Sequence, residues 1–179
     1  MERPNQKMKR IAIVEIIFFS VLAILLFALI NSCNGQSAKH CADKNINTGI
    51  TTEYHIISFE KTYLIMNDEV LNHTDIPLGE SFYLVHDGIK GFVQKEGKIS
   101  MGCSLLISDM QGKVLLHNKD LYEGNDMYEK DSIEFIRCTI GTGSPMQYEE
   151  KYKIQVIFWD KYGEGKIENN FTMQCIDIP

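Results

Sequence analysis

The sequence lacks most of what announces catalysis. It holds no HExxH or HxH pair, no GxSxG, no P-loop and no glycine-rich dinucleotide signature, so the motifs of zinc hydrolases, α/β-hydrolases and nucleotide enzymes are missing. No CxxC occurs among its five cysteines and no Cys/His pair has finger spacing, which leaves neither a structural metal site nor a cofactor site to name. Proline is scarce, four residues in 179, and hydrophobic residues reach 44%. That composition belongs to a packed domain rather than to a disordered or low-complexity chain. Basic charge is also short, 18 Lys and Arg against 24 Asp and Glu. Four of the bases (Arg3, Lys7, Lys9, Arg10) and two of the acids (Glu2, Glu15) fall in the first 35 residues, leaving 14 bases against 22 acids beyond them. An acidic domain without a basic stripe is repelled by phosphate backbones, so nucleic acid is excluded as a partner.

What is present begins at the N-terminus. After the four bases, Ile11 to Ile30 is a twenty-residue run whose only charge is Glu15. Twenty apolar residues make about 30 Å of helix, enough to cross a bilayer, and the bases before them hold the N-terminus on the cytoplasmic side. Glu15 divides the run, and Ile16 to Ile30, fifteen residues, has the length of a signal-peptide core. Ile30-Asn31-Ser32-Cys33 closes it. This segment resembles the lipobox of bacterial lipoproteins, with Asn31 where a smaller residue is usual and Ile30 where Leu is usual. The resemblance implies cleavage before Cys33, lipid attachment at Cys33, and localisation in the cell envelope with residues 34–179 outside the cytoplasm. An uncleaved single-span anchor is the other reading, and in both the N-terminus contacts the membrane.

Residues 1–33 are therefore read as signal peptide or anchor, 34–50 as a flexible polar tether, and 51–179 as one domain. In that domain no helix-sized window carries a 3.6-residue period, and short strands are punctuated by turn signals. Ile99, Met101, Cys103, Leu105 and Ile107 alternate with Ser100, Gly102, Ser104, Leu106 and Ser108, the period of two of a strand with one buried face. Strands are expected at 52–58, 61–66, 81–86, 99–107, 113–117, 132–140, 152–159 and 166–176, with hairpins joining 99–107 to 113–117 and 152–159 to 166–176. A short turn of helix is allowed within 121–130. Seven or eight such strands read as an all-β fold, an antiparallel β-sandwich. The order of connections resembles the immunoglobulin-like Greek key, with Tyr152 at the tyrosine-corner position and Ile154 where an antibody domain has Cys.

Four cysteines beyond Cys33 remain, Cys41, Cys103, Cys138 and Cys175. Outside the cytoplasm an even number points to disulfides of one of three connectivities, while burial as free thiols is the alternative. The acidic stretch 120–131 (with Asp120, Glu123, Asp126, Glu129 and Asp131) is a solvated loop or, less simply, a calcium loop. Tyr122, Tyr128, Tyr148 and Tyr162 sit in expected loops and are the candidate recognition residues, since Tyr gives contact area at small entropic cost. No residue is assigned a catalytic role. The leading expectation is a membrane-anchored binding or structural module for a protein or glycan. The alternatives are a subunit of a larger envelope complex that offers an edge strand, and a hydrolase with a triad assembled around His86 or His117.

Overall fold

The computed structural model describes residues 41–177. Cys33, the hydrophobic segment before it and the first part of the tether lie outside the described residues. Twelve strands follow in order: β1 (Cys41–Lys44), β2 (Thr51–His55), β3 (Lys61–Met66), β4 (Glu69–Leu71), β5 (Asp75–Pro77), β6 (Ser81–Asp87), β7 (Lys98–Asp109), β8 (Val114–Asn118), β9 (Met127–Glu129), β10 (Phe135–Gly141), β11 (Lys151–Asp160) and β12 (Lys166–Ile176). The only helical turn among the described residues is a 3-10 turn at Lys130–Ser132. No described helix is long and apolar enough to cross a membrane.

The strands form two sheets. Sheet 1 has the order β1-β2-β12-β11-β7-β8, with β5 added beside β12 and β9 beside β7. Sheet 2 has the order β10-β6-β3-β4. Every pairing is antiparallel except β5 with β12. The fold is thus all-β, two antiparallel sheets sharing one core, as a β-sandwich has.

The alternation of the sequence sets the core. On β7 the side chains of Ile99, Met101, Cys103, Leu105 and Ile107 are buried. On β11 and β12 Ile154, Val156, Phe158, Ile167, Phe171, Met173 and Cys175 join them. Sheet 2 contributes Leu64, Phe82, Leu84, Ile136, Cys138 and Ile140 to the same cluster. Each buried aliphatic or aromatic side chain stabilises the fold by about 1.5–3 kcal/mol relative to exposure, so both sheets depend on this shared layer.

The two expected hairpins are present, β7 with β8 and β11 with β12. Asp109 organises the first turn, its Oδ1 accepting the Gln111 and Lys113 amides at 3.0 and 2.8 Å. Gly112 supplies the left-handed residue there, at φ 91°. Five features depart from the sequence reading. The fold starts inside the segment read as a tether, because β1 pairs with β2 and Ile50 is buried. Asn67-Asp68 does not merely interrupt a strand: both residues have positive φ, 50° and 64°, and turn β3 into β4, as a two-residue primed turn requires. Asp75–Pro77, read as a break, is β5 lying parallel to the end of β12. The strand expected from Ser132 starts only at Phe135, and the helical turn allowed in 121–130 comes later, at Lys130–Ser132.

Candidate functional site

The connection between β8 and β10 decides the geometry of one side of the molecule. It leaves sheet 1 at Asn118, returns along β7 as β9, then crosses to sheet 2 to begin β10. Two of its acidic residues depart from the solvated loop expected at 120–131, the other three acids of that stretch being exposed. Lys161, from the β11–β12 turn, places Nζ 2.7 Å from Asp120 Oδ2 and 2.8 Å from Asp126 Oδ2. Asp120 Oδ1 also accepts the amides of Cys103 and Tyr122 at 3.2 and 3.0 Å, and Ser100 Oγ donates to Asp126 at 2.9 Å. Burial opposes the charged form of Asp120, but Lys161 and the two amides outweigh it and hold the carboxyl below its usual range. Asp120 and Asp126 thus converge on one ammonium, whereas Glu123, Glu129 and Asp131 are exposed. No group of three or more His, Cys, Asp or Glu among the described residues is arranged to hold a metal ion.

This clamp fixes the two tyrosines of the connection. Tyr122 and Tyr128 meet edge to face, ring centroids 6.3 Å apart. The Tyr122 hydroxyl donates to the Arg137 carbonyl at 2.5 Å, and that of Tyr128 to the Asn125 carbonyl at 2.8 Å. Burial pushes the Tyr122 phenol up, so it stays a donor at neutral pH. Tyr162 joins the same end, its hydroxyl 3.4 Å from Met127 Sδ and its ring beneath Lys95 Nζ at 4.4 Å. Three of the four expected recognition tyrosines therefore gather at one end. Tyr148 precedes β11 and so sits at the other end, exposed and apart from them.

Between the connection and β10 lies a groove of about 640 Å³, lined by Leu121, Tyr122, Tyr128, Ile133 and residues 134–139. β10 is the end strand of sheet 2, and among the described residues no strand pairs with its other side. It is seven residues long with one charge, Arg137. The bond from Tyr122 shows that the Arg137 carbonyl points away from β6, whereas the Glu134 carbonyl accepts the Gly88 amide from the β6 side at 2.9 Å. Peptide groups alternate along an antiparallel strand, so Phe135, Arg137 and Thr139 all direct their N–H and C=O toward the groove.

The outer face of sheet 2 continues from this edge. Register places Thr139, Tyr83, Ile65 and Val70 in one row and Arg137, Val85 and Tyr63 in the next. Val70 is 67% exposed and Phe135 52%, and the Arg137 guanidinium lies 4.7 Å from the Tyr83 ring centroid. These residues were not singled out from the sequence. Outward apolar residues in β3 and β10 were visible as alternation, but alternation does not say that strands so distant in sequence form one surface.

The other expected residues are placed elsewhere. His86 is fully buried, with Nδ1 2.8 Å from Thr62 Oγ1. Its Nε2 faces Asn169 across the core without closing a hydrogen bond of ordinary length, and burial drives the imidazole down to about 4. Among the described residues its neighbours include Thr62, Phe59 and Phe158, and His117 is exposed on β8. Cys41, Cys103, Cys138 and Cys175 are free thiols. Cys103 and Cys138, on facing sheets, are hydrogen-bond neighbours, whereas Cys175 lies 3.9 Å from Met146 Sδ and Cys41 is paired in register with Tyr54.

No protein-family model matches the chain, and no curated protein matches it. The functional reading therefore rests on the geometry.

Proposed function

We propose that the chain is a membrane-anchored, extracytoplasmic binding module, held at the membrane through residues 1–33, with Cys33 as the lipid-bearing residue. The observation that carries the binding role is the outer face of sheet 2. It sets Tyr63, Ile65, Val70, Tyr83 and Phe135 around Arg137, while the most exposed of them contribute nothing to the core. Contiguous apolar and aromatic surface around a stacked arginine is the composition of protein-recognition patches. A protein partner is favoured over a glycan because β10 beside this face carries peptide groups that no described strand pairs with. The basic segment followed by a long apolar run supports the anchor, and the residues Ile30 to Cys33 support lipidation.

An immunoglobulin-like relationship is part of the same proposal. Its support is Tyr152, which is 4% exposed and whose hydroxyl accepts the Gln147 amide at 2.8 Å, the short upstream bond of a tyrosine corner.

The test has two arms. Intact-mass analysis of the membrane fraction is expected to give a chain beginning at Cys33 with added acyl mass; retention of Met1–Asn31 sinks the lipoprotein reading in favour of a span. A photo-crosslinking residue at position 135 is expected to yield a protein adduct in the intact envelope, and one at position 153, on the outer face of sheet 1, none. Equal adducts from both positions, or none from 135, overturn the assigned surface.

A further inference from the structure

Sheet 2 ends in an unusual way for a β-protein that is to stay monomeric. End strands are ordinarily kept short, charged or covered, since their unpaired peptide groups template pairing with another chain. Among the described residues, β4 with three residues and β1 with four, two of them charged, follow that rule, whereas β8, five residues without a formal charge, does not; β8 nonetheless borders no groove of the size found at β10. β10 does not follow the rule either. It has seven residues and one charge, and its free side opens into the groove.

We infer that β10 is a docking edge, and that its occupant is an extended segment of a partner polypeptide added as a fifth strand of sheet 2. This deepens the binding reading above and rests on it. The peptide groups of Phe135, Arg137 and Thr139 present donors and acceptors at the two-residue period of a strand, and the Tyr122 hydroxyl already makes to Arg137 the kind of bond an incoming amide makes. Space agrees. A residue in a sheet occupies about 3.3 Å along the strand, 4.8 Å across and 10 Å through, roughly 160 Å³, so 640 Å³ holds a strand of about four residues.

The lining also sets the sequence of the occupant. Alternate residues of the added strand point into the groove, over Leu121, Tyr128 and Ile133, and are apolar. The intervening residues lie on the outer face beside Phe135, Arg137 and Thr139. A carboxylate at the position next to Arg137 makes the favourable cross-strand pair. The partner segment is thus apolar at every second residue with an acid between, and main-chain bonds supply much of its affinity.

The test uses the full chain in detergent micelles and a displayed library of random hexapeptides. Selection is expected to enrich sequences with that period of two. Thr139→Pro removes an amide that faces the groove and none that pairs with β6, so it is expected to lower binding of the enriched peptides at least tenfold while the thermal melt keeps its shape. Methylating alternate amide nitrogens of one enriched peptide is expected to abolish binding in one register and spare it in the other. Failure to enrich any peptide, equal binding by Thr139→Pro, or indifference to the register of methylation each overturns strand addition. The methylation arm needs only the unaltered protein, so it stands even if Thr139→Pro does not fold. An adduct at position 135 together with failure here leaves the sheet-2 face as the binding surface and removes the added strand alone.

Discussion

The two outer faces of the molecule are built on the same core and have opposite characters. On sheet 1, Gln155 Nε2 donates to Glu168 and Asn170 at 2.9 and 3.2 Å, and Lys166 pairs with Glu168 at 2.7 Å. These polar groups satisfy one another and offer little to a partner. Toward the end of β11, Trp159 lies on Gly102, so close that a β-carbon there would come within 2.1 Å of the ring. Sheet 2 does the reverse. Its inner face is as apolar as that of sheet 1, but its outer face exposes Val70 and Phe135, and no described strand pairs with the outer side of its end strand. The difference shows that burial of a core does not by itself make a surface inert. The middle of sheet 1 covers its outer face with paired polar groups and leaves exposed apolar side chains to β8 and β9, whereas sheet 2 exposes Val70 and the end-strand Phe135 on its outer face.

The most damaging way to break this contrast is to disrupt sheet 1. Gly102→Val should drive Trp159 off the sheet and cost about 3 kcal/mol, as overpacking does, read as a fall in the urea midpoint at unchanged slope. A similar loss is expected from pH, through the histidine buried between the sheets. The His86 imidazole titrates near 4 when folded against about 6.5 when unfolded. Between those values the unfolded chain binds more protons, so stability is fully present above 6.5 and declines as pH falls toward 4. The decline is roughly 3 kcal/mol. Urea titrations at pH 7 and pH 4.5 should show it, and His86→Gln should flatten it; an unchanged slope with pH in the variant would assign the acid sensitivity to other groups.

Smaller effects sharpen the account of the groove. Lys161→Met leaves Asp120 and Asp126 without their ammonium and should lower the melting temperature by a few degrees. It should also speed amide exchange in 120–128, while leaving β11 and β12 protected. The buried thiols give a chemical counterpart. Cys41 should react with an aqueous disulfide reagent in the folded chain while Cys103, Cys138 and Cys175 stay protected until unfolding. Refolding with oxidised glutathione should then join Cys103 to Cys138, as peptide mapping under non-reducing conditions will detect, because that pair alone among the four brings two thiols together. The smallest change in stability should come from the outer face of sheet 2. Val70→Asp and Phe135→Ser should each stay within about 0.5 kcal/mol of the parent chain, and Val70→Asp should abolish crosslinking from position 135. A large loss of stability would mean that these side chains serve the fold rather than a partner.

Much of the fold was legible where it is local. The alternation in 99–107 and in 166–176 placed both long strands and named the residues that face inward, since a period of two leaves one choice of buried face. The hairpins β7–β8 and β11–β12 followed from turn residues between adjacent apolar runs. The short strands β4, β5 and β9 did not, because three residues carry no measurable period. β5 and β9 are strands only by virtue of partners distant in sequence, β12 and β7. The candidate site shows the same division. Tyr122, Tyr128 and Tyr162 were identifiable as aromatic residues in loops, but the clamp of Asp120, Asp126 and Lys161 that sets them together joins residues 35 and 41 positions apart, and no local pattern encodes it.

The amino-acid sequence by itself determined the apolar N-terminal run, the acidic domain, the strands and which face of each is buried, because these follow from composition and from the two-residue period of an extended chain. Only the tertiary structure decided that β10 is the last strand of its sheet among the described residues and that its outward peptide groups open on a groove beside an aromatic face. Strand order is fixed by the packing of the whole core, and a residue's own neighbours along the chain do not reveal which strand will be left without a partner.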